Sequence, residues 1–129
     1  MSKESNEINE IVVNGVVYVP KGKEAPKMGT TVLGQPAVIL RCMASGVFAG
    51  VLKSQSPDGK LVTLTNCRRI WHWEGAATCS QLALEGVKSP LNCKFPQAVP
   101  ELTVTDVLEI IPMTSEAWDN VMAVPEWKN

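Results

Sequence analysis

The chain has 129 residues, of which 45% are hydrophobic and 19% charged, and its formal net charge is −1. That length suits one domain able to bury a core without metal or disulfide, and the balance excludes a disordered chain. Near-neutrality gives no basic face for a long nucleic-acid backbone, although a small phosphorylated ligand would need only a local cluster of cations.

Residues 1–10 are polar and are expected to form a flexible arm, with 11–129 a single domain. From Ile11 to Val19 the pair Asn14-Gly15 stands between two β-branched runs, the strongest short-range hairpin signal. The stretch from Pro20 to Pro36, rich in Gly, Pro and Lys, reads as a long connecting loop. Ala37–Met43 is a buried-type strand. Ser45-Gly46 turns the chain into Val47–Lys53, and Ser56-Pro57-Asp58-Gly59 is a turn in which proline presets φ and Asp-Gly accepts the left-handed corner. Lys60–Thr65 then leads into Arg68–Trp73. Strands joined by such short turns form an antiparallel meander.

Past Gly75 the pattern changes. Residues 76–85 hold good helix formers and Gly86 stands where a helix would stop. Glu101–Val104 and Val107–Ile111 read as strand, with Thr105-Asp106 taken as a bulge. Thr114 is a plausible N-cap for a short helix over 115–122, with Pro125 beyond its end. The expected class is α+β: a mainly antiparallel sheet with two short helices.

Four cysteines, Cys42, Cys67, Cys79 and Cys93, form no CxxC, and the chain opens without a signal-peptide pattern. Reduced, mostly buried thiols and a cytoplasmic protein are therefore expected. The apolar runs are too short for a membrane span.

The densest chemistry lies between Arg68 and Glu85. If Cys67–Trp73 is a strand, alternation puts Cys67, Arg69, Trp71 and Trp73 on one face and Arg68, Ile70 and His72 on the other. Arginine offers a planar fork that matches phosphate, and tryptophan a broad face on which a base can stack. Gly75-Ala76-Ala77 would let an anion approach the amides opening the helix, with hydroxyls from Thr78 and Ser80 nearby. Arg41 and Lys94 are further candidate cations. The plainer reading makes the indoles one wall of the core and pairs the arginines with Glu74, Glu85 or Glu101.

Catalytic constellations are incomplete. His72-Trp73-Glu74 matches the H-x-E fragment of zinc deaminases, but that site needs a P-C-x-x-C and only Cys93 stands downstream. Cys79 with His72 as base lacks any third orienting group, and no phosphate loop or dinucleotide fingerprint occurs. A binding protein without cofactor, rather than an enzyme, is expected.

The string Asn66-Cys67-Arg68-Arg69-Ile70-Trp71-His72-Trp73-Glu74-Gly75-Ala76-Ala77 carries a resemblance that continues through Ser80–Ala83, Glu85-Gly86, Cys93–Phe95, Val107–Pro112 and Val124–Trp127. It resembles an uncharacterised domain common in tailed-phage and prophage genomes, over about residues 36–127. Cys79 departs from that pattern, which has a plain aliphatic residue there. The resemblance implies a phage setting but no activity. By analogy of role alone, small phage proteins of this kind include counter-defence sponges, which sequester the cyclic oligonucleotide or cyclic ADP-ribose signals of systems such as CBASS and Thoeris. On that analogy the protein would be a homo-oligomer binding a cyclic nucleotide-type signal intact. Arg68 and Arg69, with Arg41 or Lys94, would hold phosphates, and Trp71, His72 or Trp73 would stack the base. The alternative is a protein–protein interaction module, either a phage accessory protein or an inhibitor of a host enzyme.

Overall fold

The computed structural model describes residues 11–13, 16–18 and 29–128. The polar arm over 1–10, the Asn14-Gly15 corner and most of the Pro20–Pro36 connection lie outside them. β1 (Ile11–Val13) and β2 (Val16–Tyr18) pair antiparallel, with Val13 opposite Val16, as the hairpin signal requires.

The end of the expected loop instead holds a second tight hairpin. β3 (Thr31–Val32) pairs with the start of β4 (Gln35–Cys42) across Leu33-Gly34. Both corner residues have positive φ, as a two-residue hairpin turn demands. Leucine is a poor residue for that conformation, which is why the sequence does not announce the turn.

β5 (Val47–Gln55) and β6 (Val62–Arg69) continue the meander, and β7 (Val99–Val104) adds to β6. β8 (Val107–Pro112) returns to the free side of β4. The order is thus β8-β4-β5-β6-β7, with two consecutive strands on opposite edges. Laid flat, those edges would stand roughly 19 Å apart at about 4.8 Å per strand. The link from Val104 to Val107 reaches at most roughly 11 Å, so the sheet must curl until its edges meet at that corner. Thr105-Asp106 is therefore a corner joining two edges, not the bulge expected from sequence.

Curling creates two cores. Inside it, Val38, Leu40, Phe48, Val62, Leu64, Cys67, Val104 and Val107 pack together. On the outer face, Ala37, Ile39, Ala49 and Ile70 lie beneath the helices, with Phe95, Met113, Leu82, Ala83, Ala117 and Val121. β4 is buried on both faces, and Ala37–Leu40 accordingly reads as an unbroken apolar run.

A bulge in β6 assigns the two arginines to their faces. Ala49 pairs with Arg68 but Val51 with Thr65, so Asn66 and Cys67 share the single partner Gly50. Asn66 takes φ +48. A Cβ on Gly50 would stand 2.9 Å from Leu64 Cδ1 and 3.2 Å from Cys67 Cα, so glycine is what lets the strands close there. The extra residue resets the alternation: Val62 and Leu64 point into the curl, then Cys67 does.

α1 (Cys79–Glu85) is shorter than the 76–85 expected. Thr78 is its N-cap, its Oγ1 accepting from Gln81 N at 3.1 Å, while Gln81 Oε1 accepts from Ala77 N at 2.8 Å. Residues 76–78 thus serve the cap. Gly86, at φ +76, ends the helix with its N–H on Leu82 O. Thr114 caps α2 (Ser115–Ala123), accepting from Ala117 N and donating to Leu84 O at 2.8 Å. One hydroxyl therefore starts α2 and ties it to the end of α1. Among the described residues no helix is long and apolar enough to cross a membrane.

Candidate functional site

The alternation set by the bulge sends Arg68 outward, beneath the helices, and Arg69 inward, to the mouth of the curl. Arg68 is 3% exposed. Its Nε donates to Pro96 O at 2.9 Å, Nη2 to Phe95 O at 3.1 Å, and Nη1 to Val121 O at 3.0 Å and Met122 O at 3.4 Å. Its guanidinium also stands 5.5 Å from the Phe95 ring centroid. Val121 and Met122 lie in the last turn of α2, where carbonyls run short of helical partners and carry the negative end of the dipole; Val121 O also accepts from the C-cap Val124 N at 3.4 Å. Burial pushes the Arg68 pKa down, with Glu126 opposing that shift. Arg68 is a structural pin, its fork occupied by backbone.

Arg69 is exposed. Its Nη1 donates to Ser45 O at 2.7 Å, and its guanidinium lies 4.5 Å from the centroid of the buried Phe48 ring. A groove of about 220 Å³ opens beside it, lined also by Leu102, Thr103, Val104, Thr105 and Asp106. A second groove, about 240 Å³, runs over Arg68 between Asn66, Ala98, Met122, Val124 and Glu126.

β6 stops at Arg69, so Trp71 and Trp73 do not continue its inward face as the strand expectation had them. Trp71 N and His72 N both reach Lys94 O, at 3.2 and 3.3 Å, and Lys94 N donates to His72 O at 2.8 Å. Phe95 in turn bridges Glu126, and Trp127 N donates to Phe95 O at 2.9 Å. The result is a short surface ribbon of three chain segments. Trp71 is 64% exposed and Trp127 40%. Lys94 Nζ lies 5.6 Å from the Trp127 ring, a cation–π contact, and His72 Nε2 stands 3.3 Å from Glu74 Oε2. Trp73 turns the other way: its Nε1 donates to Ala76 O at 3.0 Å and its ring packs on the helix-side core.

The remaining candidates are scattered. Thr78 is occupied as a helix cap and Ser80 is exposed on α1. Arg41 Nε meets Glu109 Oε1 at 2.8 Å across β4 and β8, and that pairing lowers the Glu109 pKa. Gly75 does not open the helix. It lets the chain pass against Lys88 and Ser89, where a Cβ would lie 2.6 Å from Ser89 N. Cys79 is half-buried, and burial raises its thiol pKa. Among the described residues no cluster of three metal-ligating side chains occurs.

The sequence cluster thus separates into a buried pin, an arginine at the mouth of the curl, a core indole and an exposed aromatic ribbon. Sequence reasoning missed Trp127, 33 residues beyond Lys94 in the chain, and also Ser45, Phe48 and Asp106 around Arg69. The only signal for Trp127 was its place in the resemblance; the others had none, since long-range pairing brings them in.

A family model described as a domain of unknown function (DUF6948) matches residues 35–121, and the chain belongs to that family. The match spans the curled sheet, α1 and most of α2, and leaves the β1–β2 hairpin and Trp127 outside. No curated protein and no solved structure matches the chain.

Proposed function

We propose that this protein is a non-catalytic binding module that engages a protein partner through the ribbon of Trp71, His72, Lys94 and Trp127. The observation that carries the reading is the indole of Trp71, 64% exposed at a point where the neighbouring backbone is held by hydrogen bonds. An indole on a fixed backbone gives large contact area at small entropic cost. Tryptophan is also among the residues most enriched where binding energy concentrates. Lys94 on Trp127 and the His72–Glu74 pair give such a patch a polar margin. The phage setting implied by the resemblance makes a bacterial host protein the expected partner, met in the host cytosol.

Affinity capture from bacterial lysate with the wild type and with Trp71→Ala and Trp127→Ala tests this. A host protein retained by the wild type and lost from both variants supports it. Retention by both variants overturns it. A change in the variants' own native mass would show instead that the ribbon joins copies of this chain.

One observation favours a second reading, capture of a cyclic nucleotide-type signal without cleavage. Arg69 presents an open guanidinium in a groove, the chemistry expected of a phosphate anchor. A thermal-shift panel of cyclic oligonucleotides and cyclic ADP-ribose isomers tests it, with stabilisation of about 2.7 kcal/mol expected at a hundredfold excess over Kd. Recovery of intact ligand after denaturing the protein separates capture from hydrolysis.

A further inference from the structure

We infer that the groove at the mouth of the curled sheet is a site for one phosphate-type oxyanion, received by Arg69 with the hydroxyl of Thr105. This deepens the second reading above, and the identity of the molecule carrying the phosphate rests on that reading.

Arg69 is pre-organised. Ser45 O fixes Nη1 from one side, at 2.7 Å, and the fully buried Phe48 ring supports the guanidinium plane from below. Ser45 is itself fixed, because its N and Oγ both donate to the Asp106 carboxylate, at 2.9 and 2.6 Å. Among the described residues Arg69 makes no other hydrogen bond and no ion pair, so most of its fork is open. Arg41 is the contrast: it too is exposed, but its Nε is taken by Glu109. The carboxylate that shares the groove with Arg69, Asp106, already accepts three donors, from Ala44 N, Ser45 N and Ser45 Oγ. Its charge is turned to the β4–β5 turn.

Size and surroundings narrow the ligand. About 220 Å³ is less than the roughly 300–1,000 Å³ of a pocket that encloses a whole small molecule. The groove suits one anionic group, with the rest of the ligand outside. Thr105 also lines the neighbouring trough over the Ser56–Leu61 turn, where the Lys60 cation stands with the Asp58 carboxylate, whose Oδ1 accepts from Ser56 Oγ and Lys60 N. A phosphate ester seated on Arg69 would therefore extend its body past Thr105 toward Lys60. Thr103 contributes less, because its hydroxyl is paired with Thr63 at 2.8 Å.

The chain has three arginines, Arg41, Arg68 and Arg69, so their side-chain Nε–H signals form a simple nuclear magnetic resonance spectrum with two internal controls. The protein is titrated with inorganic phosphate, adenosine monophosphate and a cyclic dinucleotide, against chloride at matched ionic strength. The expected result is a saturable shift of Arg69 alone with phosphate and with adenosine monophosphate. Arg69→Gln should weaken binding at least tenfold, and Thr105→Val severalfold. Arg69→Lys should retain part of it, since a lysine keeps the charge but not the fork. No saturable shift beyond chloride, or an equal shift of Arg41, overturns the site. Phosphate binding without cyclic dinucleotide binding keeps the site and removes that dinucleotide as its ligand. Cyclic dinucleotide binding that Arg69→Gln leaves unchanged supports nucleotide capture elsewhere and overturns this site.

Discussion

Arg68 and Arg69 are adjacent in the chain, yet their guanidinium groups lie on opposite faces of β6: one on the Phe95 ring beneath the helices, the other on the Phe48 ring at the mouth of the curl. The same residue type therefore does opposite work at the two positions. Arg68 spends its donors on the carbonyls of Phe95, Pro96, Val121 and Met122. Arg68→Met keeps much of the buried stem but leaves Pro96 O and Met122 O without their donor, while Phe95 O keeps Trp127 N and Val121 O keeps Val124 N. Leaving a buried polar group unpaired costs about 1–3 kcal/mol, so a loss of about 2–4 kcal/mol is expected. Arg69→Met should lose under about 1 kcal/mol, as exposed sites usually do. Urea denaturation of the two variants checks the contrast, and equal losses would contradict the facing assigned to β6.

Gly75 and Gly59 both have positive φ, +92 and +77, but they differ in surroundings. A Cβ on Gly59 would meet nothing within 4 Å, whereas one on Gly75 would press into the backbone of Lys88 and Ser89. Gly59→Ala should therefore cost only the left-handed conformation, roughly 1–2 kcal/mol. Gly75→Ala adds a backbone clash and should cost clearly more, or prevent folding. Matched denaturation curves decide between them. Equal costs would mean that the passage at Lys88 is free to widen.

Sequence reasoning found what local chemistry determines. Gly86 and Thr114 lie at helix ends and Ser56–Gly59 at a turn because capping and turn preferences act over a few residues, whereas Thr78, read as a hydroxyl within the helix, is its N-cap. The Asn66 bulge was not legible, since it depends on Gly50 in the neighbouring strand, and a bulge decides which face every later residue takes. For the same reason the alternation within Cys67–Ile70 was read correctly, but not which side of it faced the helices. Trp71 stands out in the sequence, but its facing does not, because β6 ends at Arg69 and the chain crosses to Lys94, a pairing over more than twenty residues that no local periodicity encodes.

Asp106 makes stability depend on pH. Hydrogen bonds from the Ser45 hydroxyl and from the backbone N–H groups of Ala44 and Ser45 hold its carboxyl below the ordinary value of 3.8. A carboxyl with a depressed folded-state pKa stabilises the fold above its unfolded value, and that contribution is lost as pH falls through the folded value. Asp58 and Glu109 are lowered too, so the wild-type curve sums several groups. Asp106→Asn isolates one: it should be less stable than wild type at neutral pH, and the gap should close as pH falls below the carboxylate range. Urea midpoints across that range are the measurement, and a gap that stayed constant with pH would remove Asp106 as a source of the dependence.

Trp71 and Trp73 separate the two uses of an indole in this fold. Trp73 is half-buried, hydrogen-bonded to Ala76 O and packed on the helix-side core. Truncating it removes both packing and the bond, and Trp73→Ala should cost about 2–4 kcal/mol, somewhat under the range for fully buried aromatics. Trp71 is mostly in solvent, so Trp71→Ala should change stability by no more than about 0.5 kcal/mol. The same difference is visible without mutation of the core: acrylamide should quench a large share of the tryptophan emission in the wild type and a smaller share in Trp71→Ala, because the most exposed indole is gone. A Trp71→Ala protein as unstable as Trp73→Ala would place both rings in the core. The exposed ribbon would then lose the residue on which the proposed binding surface depends.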